Sequence, residues 1–104
     1  MKRLIENPHA GKILKCEFLD EIGMSQNTLA KAIKVPANRI HAIVKGTRRI
    51  TADTDLRLCK FFGLSEGYFL RLQNAYETAG AKHILNNQLN SILPYQAIEH
   101  RQSL

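Results

Sequence analysis

Tryptophan is absent from this 104-residue chain, and only two cysteines, three prolines and seven Tyr or Phe residues are present. Cys16 and Cys59 each fall beside apolar residues in a helical pattern. They read as small buried thiols, with no disulfide expected in a reducing compartment. The histidines at 9, 41, 83 and 100 show no ligand spacing with one another or with the cysteines, so no metal site and no cofactor is expected. No apolar run approaches the roughly 18 residues of a membrane span. The opening MKRLIENPHAGK has only Leu4-Ile5 where a signal peptide needs a longer apolar stretch, so a cytoplasmic protein without membrane association is expected. No segment alternates apolar and polar residues as a half-buried strand does, which points to an all-α fold with short connections. The length suits one compact core.

Acidic residues are missing from one long stretch. Between Ile22 and Ala52 there is no Asp or Glu, while Lys31, Lys34, Arg39, Lys45, Arg48 and Arg49 are all basic. The other nine basic residues balance the nine acidic ones, so the formal charge of +6 resides in this segment. A polyanion would meet one basic face.

The same stretch has the pattern of two short helices joined by a tight turn. Ser25 is a good N-cap, and Leu29 and Ile33 sit four apart. Pro36 suits a helix start, Ile40, Ile43 and Val44 recur at i, i+3 and i+4, and Gly46 ends the run. Turning the isoleucines inward places Asn38, Ala42 and Lys45 on the opposite side at about 100° per residue, flanked by Arg39 and His41. A small, polar, basic face of this kind suits a recognition helix in a major groove.

Other elements follow on either side. Asn7-Pro8 reads as a cap and first helical residue for HAGKILKCEFLDEIG, with Leu14, Phe18 and Ile22 at successive fours, Ile13 and Leu19 alongside, and Gly23 as the stop. Thr51 caps ADTDLRLCKFFG, in which Leu56, Cys59 and one or both of Phe61 and Phe62 are expected inward and Asp53 and Asp55 suit the helix dipole. Ser65 caps EGYFLRLQNAYET. After Gly80 the chain is rich in Asn and Gln. There Leu85, Leu89 and Ile92 form an apolar stripe before Pro94, expected to pack on a second subunit. The expected organisation is a five-helix DNA-binding domain over residues 1–79 and an additional C-terminal helix and tail over 80–104.

The segment from Asn7 to Glu77, above all GMSQNTLAKAI, RI..IV.G.R.IT.DT.LRL..FFG and F.L.LQ.AY, resembles the HigA family of antitoxins, also known as virulence-associated protein I, within the lambda-repressor-like helix-turn-helix class. The resemblance implies a dimeric repressor that binds double-stranded operator DNA, neutralises a RelE-like mRNA-cleaving toxin and represses its own operon. It places Ser25, Gln26 and Asn27 against the phosphate backbone, and Ala37, Asn38, Arg39, His41 and Ala42 in the base-reading part. Lys45, Thr47, Arg48 and Arg49 then lie along the backbone. Lys34 departs from the family, whose turn carries Gly there. If that residue has φ > 0, Lys costs on the order of 1 kcal/mol.

An enzyme is not expected, because no strands and no catalytic motif are visible; the close carboxylates Asp20/Glu21 and Asp53/Asp55 suit helix surfaces or dipoles. The alternative is a stand-alone regulator without a toxin, which a neighbouring toxin-like reading frame would decide. If a basic toxin is the partner, Glu17, Asp20 and Glu21 of the first helix are the favoured contact, with the part after Gly80 second.

Overall fold

The computed structural model describes residues 8–96, which form five helices and, among them, no strand. The first, α1, spans residues 10–22 as α-helical Ala10–Ile13, π-helical Leu14–Leu19 and α-helical Asp20–Ile22. Asn7 lies outside the described residues, and the cap is His9 rather than a Pro8 start: its Nδ1 accepts the Lys12 N–H at 3.3 Å.

The π-helical turn changes which residues face inward. Asp20 N–H donates to Lys15 O, five residues back, so Leu14 and Leu19, five apart, are both buried. The expected stripe of fours fails at its end: Ile22 is 55% exposed and Phe18 only half-buried. Phe18 instead joins a ring cluster, with centroids 4.9 Å from Phe62, 5.3 Å from Phe69 and 5.9 Å from Tyr68. Such pairs add about 0.5–1.5 kcal/mol each beyond their burial.

Helices α2 (Gln26–Ile33) and α3 (Ala37–Lys45) form the helix-turn-helix. The Ser25 hydroxyl oxygen accepts the Thr28 N–H at 3.0 Å, satisfying a donor that α2 leaves open. Leu29, Ala30 and Ile33 of α2 and Ile40 and Ile43 of α3 are buried. Pro36 is extended, one residue before the first turn of α3.

In α4 (Ala52–Phe62), the Thr51 hydroxyl accepts the Thr54 N–H at 3.4 Å. Its inward face is Thr54, Asp55, Leu58 and Cys59; Leu56, expected inside, is 47% exposed. With 100° per residue the face is centred near Asp55 and Leu58, which puts Phe61 at its edge and Leu56 well round toward the outer side. Both cysteines are free thiols.

Ser65 does not cap α5 (Tyr68–Asn90). Residues 65–67 turn instead, and the buried Asp55 carboxylate accepts N–H groups of Gly67 at 2.7 Å, Phe69 at 2.9 Å and Leu70 at 3.2 Å. Asp55 is therefore a helix cap delivered from α4, not a surface residue on its own helix dipole. Helix α5 runs on through Gly80, so the helix expected there is its continuation, interrupted by non-helical geometry at Asn86. Beyond Gln73 none of its residues is buried. No helix among the described residues is long and apolar enough to cross a membrane.

One core joins these elements: Leu14 and Leu19 of α1, Leu29 and Ile33 of α2, Ile40 and Ile43 of α3, Leu58 of α4 and Phe69 of α5, with Ile50 between α3 and α4. Backbone meets backbone where Gly11 crosses α3. A Cβ there would lie 1.8 Å from the Ile43 carbonyl oxygen, so only glycine lets α1 brace the end of α3.

Candidate nucleic-acid interface

Burying Ile40 and Ile43 turns the rest of α3 outward. Asn38, His41 and Lys45 are exposed, while Ala37 and Ala42 are half-buried beside them. His41 Nε2 lies 3.0 Å from Asn27 Oδ1 of α2, so a residue of the expected base-reading set touches one of the expected backbone set. An open groove of about 410 Å³ lies beside this pair, its lining including Lys15, Asp20, Ser25, Gln26, Asn27 and His41. The hydroxyl of Ser25 is engaged as the α2 cap.

Arg39 takes a different direction. Its Nη1 lies 3.5 Å from Thr54 Oγ1 and 4.0 Å from Asp53 Oδ2, which leans the side chain toward the start of α4 and leaves it half-buried.

The turn between α2 and α3 is held from α4. Lys34 takes φ 63° and ψ 49°, the left-handed geometry that glycine adopts without cost. Arg57 Nη1 donates to Ile33 O at 2.8 Å and to Lys34 O at 3.3 Å, while its Nε donates to Asp53 Oδ1. Carbonyls left open at the end of α2 thus receive a charged donor. The hydrogen bond from Arg57, reinforced by the charges of Arg57 and Arg39, holds the Asp53 carboxyl below its ordinary range.

Past α3, Gly46 takes φ +92° and lets the chain double back, with Thr47 N–H donating to Ala42 O at 3.0 Å. Arg48 is exposed and forms no hydrogen bond or ion pair among the described residues. Arg49 pairs with Glu77 of α5, Nε to Oε2 at 2.8 Å and Nη2 to Oε1 at 3.0 Å. That hydrogen bond and charge lower the Glu77 carboxyl and raise the Arg49 guanidinium from their ordinary values. One turn earlier on α5, the buried Gln73 amide accepts the Ile50 N–H at 2.7 Å and donates to the Ile50 carbonyl at 2.9 Å.

The acid-free stretch is therefore not acid-free in space: Asp53 and Glu77 reach into it. Asp53, Arg57, Gln73 and Glu77 were not legible as site residues, because their partners lie 14 to 28 residues away in the sequence except for the local Asp53–Arg57 pair. No group of three or more His, Cys, Asp or Glu among the described residues is arranged to hold a metal ion.

Residues 17–69 match the helix-turn-helix family. Virulence-associated protein I of Dichelobacter nodosus is 42% identical over 86 residues, covering 83% of this chain and 79% of that protein. Among solved structures, the Pseudomonas aeruginosa antitoxin HigA with the higBA promoter is 36% identical, with a TM-score of 0.77 over 86% of this chain and 99% of that one. An addiction module antidote protein of the HigA family from Coxiella burnetii is 41% identical, with a TM-score of 0.78 over 88% of this chain and all of that one (100%).

Proposed function

The chain belongs to the helix-turn-helix family, alongside virulence-associated protein I and the HigA antitoxins, and we propose that it is a repressor and antitoxin that binds the operator DNA of its own toxin–antitoxin operon. The observation that carries this reading is α3, held by α1, α2 and α4 so that Asn38, His41 and Lys45 face outward. The related Pseudomonas aeruginosa protein, an antitoxin HigA solved with the higBA promoter, supports the same ligand.

In this reading, Ala37, Asn38, Arg39, His41 and Ala42 read base edges, and Ser25, Gln26, Asn27, Lys45, Thr47, Arg48 and Arg49 hold phosphates. Asn38 is placed to pair with a base edge, Ala42 lets the helix approach closely, and Arg48 is free to meet a phosphate. Arg39 takes part by turning from Thr54 toward the DNA. One recognition helix covers a half-site, so the working unit is a homodimer with its α3 helices about 34 Å apart, or a multiple of this, on a near-palindromic operator. Residues 1–79 serve DNA binding. The outer part of α5 and the tail, with Ile84, Leu85, Leu89 and Ile92 exposed, serve the second subunit.

The protein partner is a basic, RelE-like mRNA-cleaving toxin, inhibited by direct contact. The basic face is taken by DNA, so the toxin meets the acidic side of α1, where Glu21 is exposed and Asp20 pairs with Lys15 at 3.0 Å. Expression of the native two-gene operon tests both halves. A toxin co-purifying with this chain, and the complex or free chain shifting duplex DNA from its own promoter, is the expected result. A chain that purifies alone while its operon neighbour is soluble ends the antitoxin reading, and failure to retain promoter DNA ends the repressor reading.

A further inference from the structure

Gln73 and Glu77 lie four apart on one face of α5, and both reach back to the loop that follows the recognition helix. Gln73 is 7% exposed and takes both main-chain polar groups of Ile50, as a neighbouring strand would. Glu77 grips the adjacent Arg49 through Nε and Nη2. Of the five N–H donors of a guanidinium, this leaves the Nη1 edge for another anion. The loop between Gly46 and Thr51 has no regular structure of its own, so these contacts, spanning 23 and 28 residues, restrict where its basic side chains can go.

We infer that Gln73 and Glu77 are positioning residues for phosphate binding: they touch no DNA, but hold Ile50 and Arg49 so that the loop presents Arg48 and the Nη1 edge of Arg49 to the backbone already oriented. This rests on the DNA-binding reading above. Pre-organisation of the donors lowers the ordering cost that would otherwise weaken each contact. A carboxylate that instead competed with phosphate for the guanidinium would make the opposite prediction.

The experiment measures the salt dependence of binding to a labelled random-sequence duplex of about 30 base pairs, where affinity is set by phosphate contacts and each contact contributes a slope of about 0.9. Full-length wild type, Glu77→Gln, Gln73→Met and Arg49→Gln are compared at a temperature where circular dichroism shows each folded. Glu77→Gln is expected to flatten the slope by up to about 0.9, as Arg49→Gln does, and to have no further effect in the Arg49→Gln background. Gln73→Met is expected to flatten it similarly. If Gln73→Met fails to fold, Glu77→Gln carries the test, because Glu77 is exposed. A Glu77→Gln slope that is unchanged or steeper overturns the inference, the first outcome leaving only a structural role and the second making Glu77 a competitor. Wild type without salt-dependent binding overturns the DNA-binding reading itself.

Discussion

Asp55 Oδ1 accepts the main-chain N–H of Phe69 at 2.9 Å, from a carboxylate that is buried. The same carboxylate takes Gly67 and Leu70 N–H groups and the Cys59 thiol, at 2.7, 3.2 and 3.6 Å. One side chain thus caps α5 and joins it to α4, as an anion at the positive end of a helix dipole. Replacing it by alanine leaves buried donors unpaired, at about 1–3 kcal/mol each. Asp55→Ala is expected to lose at least about 3 kcal/mol in urea unfolding, and a loss below about 1 kcal/mol contradicts the capping role.

Gly11→Ala is expected to be as severe despite changing one methyl group. Its Cβ would meet the Ile43 backbone oxygen at 1.8 Å, and neither helix backbone can yield as a flexible side chain would. Separation of α1 from α3 should lower stability by several kcal/mol, on the order of 3 or more. Thermal unfolding with a midpoint near wild type would show that the two helices do not cross this closely.

Lys34→Gly is expected to act in the other direction. The residue holds φ 63°, and the two carbonyls that Arg57 grips are main-chain atoms of Ile33 and Lys34, which the substitution keeps. Relief of left-handed strain should gain about 0.5–1 kcal/mol, less the greater freedom of glycine in the unfolded chain. Chemical denaturation reads this as a higher midpoint at unchanged slope.

Asn38→Ala is expected to cost about 1–3 kcal/mol against the cognate operator and far less against random DNA. Arg48→Gln should weaken both alike, since a phosphate contact carries no sequence information. Equal losses on both DNAs for Asn38→Ala would remove that residue from base reading.

The His9 cap makes stability depend on pH. Burial, with the nearby Lys12 charge adding to it, lowers the imidazole below its ordinary value of 6.5, and its Nδ1 must stay unprotonated to accept the Lys12 N–H. The folded value is below the unfolded one, so this contribution is whole above 6.5 and is lost as pH falls from there through the folded value. Unfolding midpoints compared at about pH 7.5 and about pH 5.5 should drop more for wild type than for His9→Asn, which keeps a capping acceptor without titrating. Equal drops would rule out His9 as the source.

Much of α2 and α3 is legible in the sequence alone. Ser25, the Leu29/Ile33 pair, Ile40, Ile43 and Gly46 act within three or four residues of one another, and helical periodicity reports such neighbours directly. Lys34 could likewise be recognised as a strained position from the family resemblance. Where the sequence misleads, a local rule meets a non-local one. The spacing of Leu14, Phe18 and Ile22 assumes an α-helix throughout, and the π turn of Leu14–Leu19 shifts the inward face. Ser65 is a good cap by type, but the helix starts three residues later, at Tyr68, and Asp55 caps its first turn from another helix.

Composition, helical period and capping residues thus determined the helix class, the approximate helix positions and the segment that carries the excess charge, because these depend on neighbours a few residues apart. Which acids enter that basic segment, which donor closes its turn and what holds its outer loop were decided only by the tertiary structure. Asp53 near Arg39, Arg57 on Ile33 and Lys34, and Glu77 on Arg49 are pairs 14, 24, 23 and 28 residues apart, respectively. They meet only because the shared core around Leu14, Leu58 and Phe69 brings α4 and α5 against the helix-turn-helix.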